Sequence, residues 1–167
     1  ALPAPANDGD LSRYEGWYQQ LTPNLEFQRL VNVVADVVRV KTTDGGITWV
    51  SESSGVTLDL RSICFPVDAE IGYVAGGDVG DGVILKTTDG GANWERLPVN
   101  PGQPIAAIDF PIDAGTGFAA GWAGTLLRTA DGGNVWEVLS PGVPNDLNGI
   151  CFPNDPLTGY VAASDGL

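Results

Sequence analysis

The chain has 167 residues, of which 43% are hydrophobic and 17% are charged, so it is long enough for one domain with a real core. Its 21 acidic and 8 basic residues give a net charge of −13, which argues against binding to a nucleic acid backbone or an anionic membrane surface. No apolar run approaches the roughly 18 residues of a membrane-spanning helix. A charged partner is expected to be cationic, although the acidity can also serve only to keep the protein soluble.

The N-terminal segment predicts an extended arm over residues 1–16. It begins Ala-Leu-Pro-Ala-Pro without a methionine, which is typical of a mature exported protein whose signal peptide has been removed. A piece of a longer chain would begin in the same way. We expect an exported protein of the periplasm, a lumen or the cell surface. The segment Trp17–Leu21 has the pattern of an outer strand and is expected to close the last sheet of the fold.

One sequence unit recurs along residues 17–167. Its most regular part is Thr-x-Asp-Gly-Gly-x-x-Trp, which occurs at Thr42–Trp49, Thr87–Trp94 and Thr129–Trp136. The motifs follow one another at intervals of 45 and 42 residues, and a period in the forties indicates propeller blades or helical repeats. The stretches between them are short apolar runs bounded by Gly, Pro, Asn and Asp, which is typical of strands. We therefore predict four strands, A to D, in each unit.

The units are placed at residues 24–53, 57–98 and 104–140, with a partial unit at 147–167. In the second unit, strand A is "ICF", B is "GYVA", C is "VILKT" and D is "WERL". The first unit is shorter, and its strands are placed near Leu25–Leu30, Asn32–Ala35 and Val37–Thr42. Lys41, Lys86 and Arg128 share one position in strand C, which predicts a structural row paired with acidic neighbours.

The recurrent motif is interpreted as the turn between strands C and D. Its aspartate can accept N–H bonds from its own turn, its glycines permit a positive φ, and its tryptophan can cover the turn. A structural role is preferred to a catalytic one. The residues assigned to this role are Asp44, Gly45, Gly46, Trp49, Asp89, Gly90, Gly91, Trp94, Asp131, Gly132, Gly133 and Trp136.

The strings "TTDGGITW", "TTDGGANW" and "TADGGNVW" resemble the Asp-box, or BNR, repeat of sialidase-type β-propellers. The fuller unit, from "FP-x-D" to the tryptophan, is most similar to the photosystem II assembly-factor group of these propellers. The resemblance covers residues 17–167. It implies an all-β propeller of four-stranded blades, and it leaves the activity open because hydrolases, sorting receptors and assembly factors share the motif.

About three and a half blades are present, whereas propellers close with four to eight. An open ring exposes strand edges. We therefore expect further copies of the unit after Leu167, with self-association of an incomplete ring as the alternative.

The resemblance to sialidases and other propeller enzymes implies that ligands bind on the face formed by the B–C and D–A loops, so the candidate binding residues are sought there. Trp122 interrupts such a loop where the sibling units carry Asp or Ser, and it can either stack on a partner or pack on the neighbouring blade. Asp78 and Asp81 can offer oxygen ligands to calcium, but no complete calcium-loop pattern is present, so turn formation is the preferred reading. The remaining candidates are Asn145, Asp146 and Asp165.

The chain contains no histidine, so His-based triads and His metal sites are excluded, and no metal site or cofactor is predicted. Cys64 and Cys151 occupy matching positions two units apart and are expected to remain separate, buried thiols. The favoured function is a non-enzymatic scaffold, assembly factor or accessory subunit that binds a protein within a larger complex. The alternative is a carbohydrate-binding or glycoside-hydrolysing propeller of the sialidase or xyloglucanase type, in which two carboxylates would act on a glycan.

Overall fold

Antiparallel strands form all the regular structure in the computed structural model, which describes residues 39–153 and 155–164. In chain order the strands are β1 (Arg39–Lys41), β2 (Val50–Glu52), β3 (Leu60–Cys64), β4 (Gly72–Asp78), β5 (Asp81–Thr87), β6 (Glu95–Arg96), β7 (Ile105–Asp109), β8 (Gly117–Gly121), β9 (Leu126–Thr129), β10 (Glu137–Leu139), β11 (Leu147–Cys151) and β12 (Tyr160–Ala163).

The strands form four separate sheets, each built from strands that are consecutive in the chain. Blade 2 has the order β3-β4-β5-β6 and blade 3 the order β7-β8-β9-β10, so both are four-stranded meanders. Blade 1 consists of β1-β2 and blade 4 of β11-β12. Blades 2 and 3 lie within the predicted units 57–98 and 104–140. The predicted arm 1–16, the strand at 17–21 and the inner strands of the first unit lie outside the described residues.

The inner strands of blades 2, 3 and 4 carry the same irregularity. The pairing register shifts between Leu60 and Ser62 in β3, between Ile105 and Ala107 in β7, and between Leu147 and Gly149 in β11. A bulge places two residues opposite one and bends the strand. Because the bulge follows the first residue of β3, β7 and β11 alike, the three inner strands bend at the same position.

The larger of the two buried hydrophobic clusters lies between blades 2 and 3. One buried cluster joins Tyr73 and Ile84 of blade 2 to Ile108, Phe110 and Leu127 of blade 3. A single four-stranded sheet cannot bury both of its faces, so each blade must be covered by its neighbour. The order of blades in the ring therefore follows the order of units in the sequence.

Aromatic rings make the central contact between blades. The Phe110 ring of blade 3 stacks on Tyr73 of blade 2 at 3.8 Å between centroids, and Phe152 of blade 4 stacks on Phe118 of blade 3 at the same distance. The edge of Phe110 meets Trp136 of its own blade at 6.2 Å. The edge-to-face contact is a geometry that aromatic quadrupoles favour, and the stacked rings bury their apolar faces against each other.

Glycine precedes each of these strand B aromatics because a phenylalanine ring lies flat against the backbone there. A Cβ added to Gly72 would approach Phe65 to 2.5 Å, and one added to Gly117 would approach Phe110 to 2.4 Å. The "FP" and "GY" or "GF" strings in each unit are therefore two halves of one packing contact.

A row of cations also joins successive blades. Lys41 Nζ of blade 1 donates to the carbonyl of Gly90 in blade 2 at 3.0 Å, and Lys86 Nζ of blade 2 donates to the carbonyl of Gly132 in blade 3 at 2.9 Å. Within the described residues, the partners shown for these two lysines are not acidic side chains. Their partners are backbone carbonyls of the next C–D turn, because that turn lies at the end of strand C across the blade interface.

The Tyr73 hydroxyl strengthens the same contact. It donates toward the carbonyls of Ala114, at 2.8 Å, and Gly132, at 3.1 Å, both in blade 3. Burial raises the pKa of Tyr73 to about 12, so the hydroxyl stays a donor at any ordinary pH.

The three C–D turns, which we call the aspartate turns, share one hydrogen-bond pattern. In the second, the Thr87 hydroxyl donates to Asp89 Oδ1 at 2.8 Å and accepts from the Gly91 N–H at 2.9 Å, while Asp89 Oδ1 accepts from the Asn93 N–H at 2.9 Å. The turns at Asp44 and Asp131 repeat these bonds within 0.1 Å. Both glycines of each turn have positive φ, such as 66° and 86° at Gly90 and Gly91. The carboxylate thus holds the hairpin closed.

The two cysteines are unpaired. Cys64 is half-buried, packs on the core, and has its thiol pKa raised mainly by burial. Cys151 is exposed, so the expectation of burial is wrong for this residue.

The hydroxyl and the ring of Tyr73 are expected to contribute separately to stability. Tyr73→Phe removes the single O–H that the two carbonyls share but keeps the stack, as Phe118 does in blade 3, and should lower the free energy of unfolding by about 1 kcal/mol. Tyr73→Ala also removes the stack and should cost about 3–5 kcal/mol. Urea denaturation measures both, and equal losses in the two variants would contradict the assigned role of the ring.

The aspartate turns should make the fold acid-sensitive. Hydrogen bonds from the Thr48 hydroxyl and N–H lower the pKa of Asp44 from 3.8 to about 2, and bonds from the Asn93 N–H and side chain do the same for Asp89. Because the folded pKa lies below the unfolded one, this stabilisation is complete above about pH 4 and is lost as the pH falls toward 2. Urea midpoints measured from pH 5 to pH 2 should fall more gently in Asp89→Asn than in the unsubstituted chain, and parallel curves would refute the assignment.

Candidate functional site

The B–C and D–A connections lie on one side of the blades, which we call the loop face. Backbone bonds join each B–C connection to the start of its own blade: Gly77 N–H donates to Asp59 at 2.7 Å, Trp122 N–H to Pro104 at 3.1 Å, and Ser164 N–H to Asp146 at 2.9 Å. These bonds show that Trp122 occupies the position of Gly77 and Ser164. The predicted alignment of Trp122 with Ser in the fourth unit agrees with this, whereas its alignment with Asp in the second is wrong by one residue.

Trp122 bridges two blades on the loop face. Its ring is half-buried, and the guanidinium carbon of Arg61 in blade 2 lies 5.5 Å from the ring centroid. This distance is within the range of a cation–π contact. Trp122 therefore packs on the neighbouring blade and remains partly exposed.

Arg61 is held in place by blade 2 itself. Its guanidinium donates to the Gly77 carbonyl and lies 3.6 Å from the Asp59 carboxylate, and 25% of the side chain is exposed. A carbonyl, a carboxylate and an aromatic ring thus surround the Arg61 guanidinium. We therefore interpret Arg61 as a residue that positions Trp122, and not as a binding site for an anion. Sequence reasoning missed Arg61, although Ala106 and Asn148 occupy its position in blades 3 and 4 and mark it as unusual.

Asp78 and Asp81 face each other at the end of the β4–β5 hairpin, as their pairing register shows. The Asp81 carboxylate accepts a short bond from Arg96 and lies 3.4 Å from the Asn100 amide nitrogen. Arg96 thus neutralises Asp81, one of the two carboxylates that the sequence suggested as calcium ligands. Among residues 39–153 and 155–164, no group of three His, Cys, Asp or Glu side chains could hold a metal ion.

Asn145 and Asp146 support the loops beside Trp122. Asp146 Oδ1 accepts from the N–H of Ala123 at 2.9 Å, and the Asn145 side chain donates to the Ser164 carbonyl at 2.8 Å. Ala123 has a φ of 51°, a left-handed conformation that is costly for a residue with a Cβ. Asp146 therefore holds a strained turn next to the exposed tryptophan. Asp165 lies outside the described residues.

The structure brings Trp122, Asn145 and Asp146 together, and it places Asp78 and Asp81 on the preceding hairpin of the same face. The shared element is the D–A connection of each blade, to which the neighbouring hairpins bond; the Gly80 N–H, for example, donates to the Gly102 carbonyl at 2.9 Å. The result is a surface of braced loops with one partly exposed aromatic side chain. Such a surface can bind a ligand by stacking and backbone contacts.

No helix in the described part of the chain is long and apolar enough to cross a membrane. No protein-family model matches the chain, and no curated protein sequence matches it.

Solved structures do match it. A structure of YCF48 bound to a D1 peptide has a TM-score of 0.55 and 21% identity over 68% of this chain and 42% of that one. YCF48 from Cyanidioschyzon merolae has a TM-score of 0.60 and 20% identity over 75% of this chain and 41% of that one. An ancestral GH74 enzyme has a TM-score of 0.53 and 19% identity over 68% of this chain and 17% of that one.

The chain spans less than half the length of these solved structures. YCF48 is a photosystem II assembly factor with a β-propeller fold. Identities near 20% establish similarity of fold and leave activity open. The four consecutive antiparallel sheets and these similarities together show that this chain has a β-propeller fold resembling that of the assembly-factor group.

Proposed function

We propose that the chain is a non-enzymatic, exported scaffold that binds a peptide segment of another protein on its loop face, as part of a larger complex. The observation that carries this proposal is the Arg61–Trp122 contact between blades 2 and 3. A partly exposed tryptophan whose ring is already held by a neighbouring side chain loses little side-chain entropy on binding. Such residues are common energetic centres of protein interfaces.

The charged groups around Trp122 favour binding over catalysis. Asp81 is engaged by Arg96, and Asp146 accepts from the Ala123 backbone, so both carboxylates serve the loops that carry them. Glycoside hydrolysis needs two carboxylates facing each other across the scissile bond, one of them free to give up a proton. Asp81 is instead committed to an arginine and Asp146 to a turn.

The solved structures support the same proposal. The fold is similar to that of YCF48, which has been solved with a D1 peptide bound. The net charge of −13 favours a partner segment with basic residues around the apolar contact, since complementary charge accelerates encounter and excludes acidic competitors. The resemblance to a GH74 enzyme keeps carbohydrate binding as the competing function.

Peptide binding is expected to depend on Trp122. The probes are the D1 peptide and a phage-displayed library of random peptides, with affinities measured by fluorescence anisotropy on the 167-residue chain. Trp122→Ala should weaken binding at least about 30-fold, the loss typical of an interface hot spot. Arg61→Ala should also weaken it, because the ring loses its support.

The matched control is Ile112→Ala, which alters an exposed apolar side chain in the loop between β7 and β8, away from the loop face. It should leave the affinity unchanged. A glycan array and a broad glycosidase assay run in parallel. Binding or turnover of a sugar, without peptide binding, would replace this function with the carbohydrate-directed one.

A further inference from the structure

The β4–β5 hairpin of blade 2 ends near Trp122 on the loop face, and part of the D–A connection lies between them. The N–H of Gly80, in the hairpin turn, donates to the carbonyl of Gly102 at 2.9 Å. Two residues further along the chain, the carbonyl of Pro104 accepts from the Trp122 N–H at 3.1 Å. Two hydrogen bonds and two residues of chain therefore separate the backbone nitrogens of Gly80 and Trp122, which is a span of at most about 13 Å.

Glycine backbone forms the floor of this span. A Cβ added to Gly80 or Gly102 would meet no atom within 4 Å, so the space above both residues is open. Both residues also have positive φ, 92° and 73°, a conformation that disfavours any side chain. The main chain of a partner can therefore approach this floor closely.

Apolar side chains stand at the two ends of the floor. Val79 lies at the tip of the β4–β5 hairpin and is 71% exposed, and the half-buried Trp122 lies at the other end. Both belong to blades 2 and 3, the two blades that have four strands each. An extended chain rises about 3.3 Å per residue, so about four residues of a bound segment would reach from one apolar side chain to the other.

The end of the hairpin also carries a negative charge that the structure leaves uncompensated. Asp78 and Asp81 pair in register and so share one face of the hairpin, where like charges repel. Arg96 engages Asp81, and Arg61 lies 3.6 Å from the Asp59 carboxylate. Within the described residues, no hydrogen bond or ion pair engages the exposed carboxylate of Asp78.

The position of Asp78 follows from the alternation of side chains along β4. Tyr73 faces blade 3, where it stacks on Phe110. The pairing of β4 with β5 runs without a shift as far as Asp78, so Asp78 lies on the opposite face of the hairpin from Tyr73. A segment that runs from Trp122 across the floor therefore meets Val79 first and Asp78 next.

We propose that the segment bound by the loop face is an extended peptide with an apolar anchor on Trp122 and a lysine or arginine beside Asp78, about four to six residues from that anchor. This proposal rests on the peptide-binding function and specifies its partner. The cation of the partner compensates the charge that Arg96 leaves on the pair of carboxylates. Because an exposed ion pair adds little affinity, Trp122 supplies most of the affinity and Asp78 supplies selectivity for charge.

The probes are synthetic copies of peptides selected on the 167-residue chain from a random phage-displayed library. The selected sequences should combine an apolar residue with a lysine or arginine at one preferred spacing. In fluorescence anisotropy, Asp78→Asn should weaken binding about 2- to 5-fold and reduce its dependence on salt. Val79→Ala should weaken it about 5-fold. Glu137→Gln removes the same charge from the outer strand β10 and is the matched control, which should leave the affinity unchanged.

An exchange of charges gives a sharper result. Asp78→Lys should bind the selected peptide more weakly than the unsubstituted chain does, and it should prefer the peptide in which glutamate replaces the lysine or arginine. Neither substitution removes a contact of Asp78 within the described residues, and both relieve its repulsion with Asp81. The urea midpoints of both variants should therefore not fall below that of the unsubstituted chain.

The outcomes separate this proposal from the function on which it rests. Peptides that bind through Trp122 with no preference for a basic residue, and with the same affinity for Asp78→Asn, would overturn the proposal and leave the peptide-binding function standing. If no peptide binds, or if Trp122→Ala binds as tightly as the unsubstituted chain, the peptide-binding function fails and this proposal fails with it.

Discussion

The structure depends on one repeated contact, in which an aromatic side chain of strand B lies flat against the phenylalanine that follows strand A in the next blade. Tyr73 with Phe110 and Phe118 with Phe152 share the same centroid separation of 3.8 Å. A four-stranded sheet has two faces and cannot bury either alone. This contact covers both, and it requires glycine beside each aromatic so that the ring can reach the backbone.

The aspartate turns and the lysine row are coupled to that contact. Each turn is closed by its own carboxylate, and in the second and third turns the carbonyl of the first glycine faces the preceding blade. Lys41 and Lys86 bind this carbonyl at Gly90 and Gly132, so one turn carries both its local hairpin bonds and a bond between blades. The motif recurs because its geometry serves two levels of structure at once.

The blades could be predicted from the sequence because their strands and turns are specified by residues that are close together in the chain and recur at a regular interval. The period of the aspartates, the alternation of short apolar runs with glycine, and the tryptophan after each turn are properties of neighbouring residues. The partners of the lysines could not be predicted. They are backbone carbonyls of another blade, a group that every residue carries and that no sequence pattern marks.

The candidate site was predictable only in part, for a related reason. Trp122 stands out as the one tryptophan in a B–C loop, but its support by Arg61 depends on two strands from different blades meeting at the same height. The inner strands of blades 2 and 3 each contain a one-residue bulge, and Arg61 is the extra residue of the bulge in blade 2. A prediction that assumes regular strands therefore places the side chains of the loop face slightly out of register.

The blade-to-blade contacts described here join only sheets that are adjacent in sequence, so stability propagates along the chain in one dimension. In such an array, the free energy of each sheet is an intrinsic contribution plus one boundary contribution from each side. Under an applied force, the described blades are expected to separate in discrete steps, and the weakest boundary between two blades should yield first. The described blades are therefore expected to unfold as a series of units coupled to their neighbours, and not in a single all-or-none transition.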